Sequence, residues 1–417
     1  MIYDCFTFFN EFEILDIRLH TLNNVVDKFV LVESNTTHSG QKKPLYFDIN
    51  KEKFNSYLNK IIHVVIDDMD NLKGDWTREK YQRNSIMNGL KDLAADEDII
   101  LISDVDEIPN PKLIIANLED KIYGFEQRLF YFYLNYEQLS GSKWVGTKML
   151  KYKILKEISP DYVRVCVEKY IAIKNGGWHF SYLGNIEQIK YKIQSFAHQE
   201  FNKSDIIDKI EENIKKRQDI FGRDEYIYQI VPIDDSFPEY LVKNKNKFFL
   251  YIEKMNKKER EIYINRIKQQ RLYYAQLFVD DGSGFRENNS LLFYKPYDAI
   301  SIEFDISIFH KIKQIRFDPL NEPCIIEIEN VELIINDESI IKVDLQAINF
   351  NLKINHEDYF FHNDPIYIIK ANKNIIEKSK ILKIHLKYLY IGCENILNKI
   401  SEEYIKLNKL MAHLSQR

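Results

Sequence analysis

Apolar and polar positions alternate in blocks along the first 110 residues. Residues 2–9 read as a strand. Residues 11–26 follow as a helix, with Ile14, Leu15, Leu19 and Leu22 at helical spacing. Residues 28–33 and 61–66 are two further strands. Residues 75–93 are a helix with Asp75 as its N-cap and Ile86, Leu90 and Leu93 facing a core. Residues 99–102 are an unbroken apolar run, the mark of a strand covered on both faces. This order predicts an α/β domain with a largely parallel sheet. An aromatic strand spans 123–136, with a turn at 140–142. Amphipathic helices follow from Ile186 and Ser204, and Lys-rich helical sequence covers 240–278.

Beyond the turn-rich stretch 280–286 the texture changes. Runs at 299–306, 312–317, 324–335, 340–354 and 381–390 are β-branched and partly alternating, with turns between them. They predict a β-sandwich. Ile396, Ile400, Tyr404, Leu407 and Leu410 then mark an amphipathic terminal helix, a candidate self-association stripe for a homo-oligomer. The expected domains are therefore 1–279, 280–395 and 396–417, in keeping with a length of 417 residues that exceeds one core.

A net charge of −5 argues against a nucleic-acid partner. Cys5, Cys166, Cys324 and Cys393 have no zinc spacing, and Cys5 and Cys166 read as reduced core residues. The chain shows no signal-peptide pattern and no run of ~18 apolar residues. The expected location is cytoplasmic, with the lysines of 240–278 offering peripheral contact at the inner face of a membrane. On that location the sequon at Asn35 is discounted.

Candidate chemistry centres on Asp104-Val105-Asp106-Glu107, where the buried run ends. In open α/β sheets ligands bind beyond the carboxyl ends of strands. Two aspartates there offer hard oxygen ligands to Mn²⁺ or Mg²⁺, which can bridge phosphates. Glu33 and Asn35 stand in another strand-end loop that could hold a base or ribose. Arg78 and Arg83 match the geometry of a diphosphate. In Gly176-Gly177-Trp178-His179, the glycines would let backbone approach a ligand, and His179 is a natural further metal ligand. No Gly-x-Gly-x-x-Gly follows the first strand, and no Walker-type loop is present, which disfavours dinucleotide dehydrogenases and P-loop ATPases.

Several stretches together resemble the family-17 glycosyltransferases, the family of bisecting N-acetylglucosaminyltransferases. They are residues 3–11, 32–35 through Ser39-Gly40, 76–84, 103–109, 176–181 and 195–200. The resemblance implies a GT-A fold, an inverting mechanism and a metal-dependent UDP-sugar donor, commonly UDP-GlcNAc. It places Asp106 as the direct metal ligand, Asp104 on the metal through water or near the ribose, and His179 as completing the shell. Arg78, Arg83, Glu33, Asn35 and Trp178 would contact the donor. Glu200 and Glu137 are candidate bases, and Glu107 would orient the site. With no anchor at its start and a β domain at its end, the chain looks like a bacterial or viral relative acting on a glycan or lipid-linked oligosaccharide. Two alternatives stay open: a metal-dependent nucleotidyltransferase or phosphohydrolase, and a non-catalytic carbohydrate-binding protein.

Overall fold

The computed structural model describes residues 1–402 apart from 116, 141–142, 166–169, 224–225, 270–272, 295, 299–300, 336–338, 355 and 362–363. It divides into two compact units, Met1–Lys254 and Met255–Arg417.

The first unit carries a ten-stranded sheet. Its parallel part is β1 (Ile2–Phe8), β2 (Lys28–Ser34), β3 (Ile61–Ile66) and β4 (Ile99–Asp104), in the spatial order β4-β1-β2-β3. β4 then pairs antiparallel with β8 (Trp144–Lys151), and β8 with β6 (Tyr123–Tyr131). β5 (Glu107–Pro109) pairs with β9 (Ile171–Ser181), which runs parallel to β6. β7 (Tyr136–Gln138) and β10 (Tyr228–Ile230) complete one edge. Cys5, Val30, Val32, Ile100 and Ile102 pack against Ile86 and Leu90 in one core. The apolar runs of β1, β2 and β4 are continuous because both of their faces are covered.

Local boundaries differ from the expectations in four places. The helix beginning at Asp75 breaks at Ser85 into Asp75–Asn84 and Ile86–Leu90, its N-cap is Gly74 at φ 92, and Leu93 is exposed. The aromatic strand stops at Tyr131, because Phe132 takes φ 47 and turns the chain. The helical sequence near Ser204 is two short pieces, Ser204–Ile207 and Ile210–Lys216, with Ser204 inside the first. Within the stretch read as helix, Lys257–Gln269 is helical and Tyr274–Asp280 is β11. Burial is continuous from 275 to 279, and Ala275, Leu277 and Val279 are the positions that enter the core cluster, a period of two.

β11 belongs to the second unit, so the division falls at 254/255 rather than 279/280. There β11, β12 (Ser290–Tyr294), β14 (Gln314–Asp318), β17 (Asp344–Ala347) and β20 (Tyr367–Lys370) form one antiparallel sheet. β13 (Ser301–Asp305), β15 (Cys324–Ile335), β18 (Leu352–Ile354), β19 (Glu357–Phe360) and β21 (Ser379–Ile391) form the other, with β16 (Ile340–Lys342) on β15. Leu277, Phe317 and Ile369 of the first sheet meet Ile302, Ile326, Leu333 and Ile384 of the second in one core, which makes the unit a β-sandwich. Residues 393–402 are helical, and Ile396 is buried against Ile325 and Tyr359. Tyr404, Leu407 and Leu410 of the proposed stripe lie outside the described residues, as does Cys166. Cys5 and Cys324 are buried and free. Among the described residues no helix is long and apolar enough to cross a membrane.

Candidate active site

The turn after β4 is shaped from beneath by an arginine. Arg18, on the helix Phe12–Leu22, has no exposed surface. Its Nη1 donates to the carbonyls of Asp104, Val105 and Glu107 at 3.1, 3.2 and 2.9 Å, and its Nη2 to Ser103 Oγ at 2.6 Å. Asp4 of β1 balances the charge. Three carbonyls of residues 104–107 are thus committed inward.

Each carboxylate on this turn has cationic company. Asp104 Oδ1 lies 3.3 Å from Arg83 Nη2 and accepts from Thr7 Oγ1 at 3.2 Å. Its Oδ2 lies 3.3 Å from Arg164 Nη2. Burial alone would raise the Asp104 carboxyl. Arg83 and Arg164 outweigh it and hold the group well below the usual carboxylate range. Asp106 Oδ1 stands 3.5 Å from His179 Nε2, and Oδ2 stands 3.2 Å from Lys192 Nζ. Burial again opposes ionisation there, and Lys192 and His179 reverse it, so Asp106 is also strongly acidic. Asp104 keeps 32% of its side-chain surface exposed and Asp106 9%. The outer of the two is therefore the more open to a ligand in this conformation.

Glu107 is 1% exposed. Its Oε2 accepts the Asp104 N–H at 3.0 Å, and its Oε1 accepts Trp144 Nε1 at 2.8 Å and a bond from Arg164. It is a bracing group for the turn. Gly146 is what admits it: a Cβ there would stand 2.8 Å from Glu107 Cδ and 2.1 Å from Gln127 Oε1. The Gly176-Gly177 pair also serves packing, which corrects the ligand-approach reading. A Cβ on Gly177 (φ +133) would lie 2.2 Å from the Ile108 carbonyl, and one on Gly176 would lie 2.7 Å from Phe125 Cβ. The glycines let β9 close on β5 and β6. His179 is thereby set opposite Glu107, with the Trp144 ring at 4.5 Å. Trp178, its strand neighbour, turns away and donates to the Ser236 carbonyl at 2.8 Å.

The remaining sequence-derived residues fall into separate settings. Glu33 is fully buried and is used by the Phe47 N–H at 2.9 Å, His63 at 3.2 Å and Lys43 at 3.8 Å. Lys43 lies beneath the rings of Phe9 and Tyr46 with 2% exposure. Burial pushes it down to about 8, with Glu33 and Glu11 pulling the other way. Asn35 Oδ1 accepts from Thr36 Oγ1. Arg78 braces its loop: Nη1 donates to the His38 carbonyl at 3.0 Å, and the guanidinium packs on Gly40. The loop is also tied elsewhere, since Ser39 N–H donates to the Ser195 carbonyl at 3.1 Å. Glu137 pairs with Arg128 at 2.8 Å. Glu200 is 54% exposed and sits 2.6 Å from His198 Nδ1. The His198 ring meets Trp76 edge-on at 4.5 Å.

Sequence reading missed Arg18, Arg164, Lys192 and Trp144. Arg18 alone had a local signal, as a charge four residues from both Ile14 and Leu22 on the buried stripe. The others reach the turn from distant segments.

The donor set fits a divalent cation in part. Asp106 and His179 face one another, yet among the described residues no three His, Cys, Asp or Glu side chains converge on one point. Ligand phosphates and water would have to complete the shell, as is usual for Mg²⁺. Charge points the same way: the linked carboxylates Glu11, Glu79, Asp104, Asp106, Glu107 and Asp161 outnumber Lys80, Arg83, Arg164 and Lys192 by six to four.

The family model of glycosyltransferase family 17 matches residues 1–253. The human beta-1,4-mannosyl-glycoprotein 4-beta-N-acetylglucosaminyltransferase is 34% identical over 108 residues, covering 24% of this chain and 20% of the relative. The mouse protein of that name is 33% identical over 108 residues, with the same coverage. The match thus spans only a fifth of each relative's length.

Proposed function

The chain belongs to glycosyltransferase family 17, and from that premise we propose that it moves N-acetylglucosamine from UDP-GlcNAc to a hydroxyl of a glycan or lipid-linked oligosaccharide, with inversion, in a GT-A domain. The observation that carries this reading is the pair of ionised aspartates at the carboxyl end of β4, held by Arg18 in a turn that leaves Asp104 open. The relatives' printed activity supports the sugar and the linkage class.

Asp106 and His179 would hold Mn²⁺ or Mg²⁺, with Asp104 beside it or joined through water. The ion would supply Lewis-acid neutralisation of the departing diphosphate. Arg83 and Arg164 keep Asp104 ionised and aimed, and Glu107 fixes the turn through the Asp104 N–H. Inversion also needs a base for the acceptor proton. Of the two candidate bases, Glu137 has 13% of its side chain exposed and Glu200 has 54%. Glu200, ionised below the ordinary range mainly by its bond with His198, is the more exposed of the two and the one we assign to the acceptor proton. Arg78 and Glu33 act through the fold of the nucleoside side, and Trp178 through packing.

The test is a panel of nucleotide sugars with Mn²⁺, scored for UDP release and sugar transfer. Transfer from UDP-GlcNAc supports the reading. Release of pyrophosphate or phosphate without transfer would replace it with nucleotidyl or phosphohydrolase chemistry.

A further inference from the structure

Lys192 is a cation on Asp106 that no sequence motif marks. It lies in the last turn of the helix Ile186–Ser195, with Nζ 2.9 Å from Glu11 Oε1 and 3.2 Å from Asp106 Oδ2. Glu11 is itself anchored. Its Oε2 accepts the backbone N–H groups of Phe9 and Asn10 at 3.2 and 3.0 Å, which fastens it at the end of β1. The Tyr182 ring stands on another side of the ammonium, 5.6 Å away.

An ammonium has three N–H donors. Glu11 and Asp106 take two, and Lys192 keeps 22% of its side chain exposed. The third donor is therefore available beside Asp106, at the carboxyl ends of β1 and β4, where open sheets receive ligands. The neighbouring guanidiniums are less exposed, Arg83 with 5% and Arg164 with 15% of the side chain at the surface. Arg83 serves Glu79, Asp104 and Asp161, and Arg164 serves Asp104 and Glu107. A dianionic group entering this acidic surface needs a cation that can turn toward it, and a lysine stem with a single fixed partner has that freedom.

We propose that Lys192 is a diphosphate-binding residue of the donor site, tethered by Glu11 and released from Asp106 when the ligand arrives. The inference rests on the transferase reading above and deepens it. As phosphate oxygen replaces Asp106 Oδ2 on the ammonium, that carboxylate oxygen becomes free for other use. Because charge on the diphosphate grows as the sugar leaves, the contact strengthens along the reaction and acts more on kcat than on KM.

The test is titration calorimetry of the full chain with UDP, uridine and inorganic pyrophosphate, each with and without Mn²⁺. Lys192→Gln is expected to weaken UDP and pyrophosphate about tenfold or more, the scale of a charge-assisted hydrogen bond, and to leave uridine unchanged. Lys192→Arg should restore part of the loss. Glu11→Gln, which keeps the ammonium but loosens its tether, should weaken UDP without moving uridine, and it serves if Lys192→Gln fails to fold. Unchanged UDP and pyrophosphate affinity, or a parallel fall for uridine, overturns the proposal. Lys192-dependent binding of pyrophosphate by a protein that ignores UDP would keep this site and sink the nucleotide-sugar reading. Binding of neither by the wild type overturns both.

Discussion

Arg18 and Asp4 form an ion pair with no exposed surface on either side chain, Nε to Oδ2 at 2.7 Å and Nη2 to Oδ1 at 2.5 Å. Removing one partner leaves a buried charge uncompensated, at a cost of about 3–5 kcal/mol. Arg18→Met should therefore be strongly destabilising in urea. Arg18→Met with Asp4→Leu should regain most of that stability. The double variant should still bind UDP poorly, because the carbonyls of Asp104, Val105 and Glu107 lose their shared donor. Full UDP affinity in the double variant would show that the turn holds its shape without the arginine.

Asp106→Asn tests the metal assignment. The substitution keeps size and leaves Lys192 on Glu11. The melting temperature is expected to move little, while metal-dependent turnover falls by about 10²-fold or more, the scale of one lost electrostatic stabiliser. Retained turnover removes Asp106 as a ligand.

Lys43 gives a pH signature. Its folded value is about 8, against an unfolded value of about 10.4. The unfolded chain binds the proton more tightly, so stability rises as pH passes from about 8 to above 10. The rise should reach about 3 kcal/mol. Lys43→Met should erase this alkaline gain. Urea unfolding at pH 7, 8.5 and 10 reads the difference, and identical profiles would contradict it.

Gly177→Ala combines a positive φ with a Cβ 2.2 Å from the Ile108 carbonyl. Backbone must shift, so a loss of about 1–3 kcal/mol or more is expected, together with weaker Mn²⁺ binding as His179 leaves Asp106. Gly284→Ala, with nothing within 4 Å of its Cβ, is the control for strain at positive φ alone.

Glu200→Gln should abolish the acid limb of the kcat/KM profile. His198 lowers the carboxyl below its ordinary value, so the wild-type limb should lie on the acid side of an ordinary glutamate. A profile that Glu200→Gln leaves unchanged assigns the base elsewhere.

Much of this architecture is written in short-range pattern. The apolar runs of β1, β2 and β4 and the alternation of the sandwich strands follow from burial on two faces or one. Asp104 and Asp106 were legible because they sit directly after a buried strand. Their partners were not, since Arg164 is 60 residues from Asp104 and Lys192 is 86 from Asp106. Spacing cannot show such convergence. Trp178 and His179 were read as one motif, but adjacent residues on a strand face opposite ways. Tyr274–Asp280 reads as helix because lysine-rich helical sequence runs up to it, which hides a strand buried from 275 to 279.

The bond from Ser39 N–H to the Ser195 carbonyl joins the loop after β2 to the end of the helix that carries Lys192. Lifting either segment away breaks this bond. Amide exchange at Ser39 should therefore report the opening of either, and a bound nucleotide should slow it.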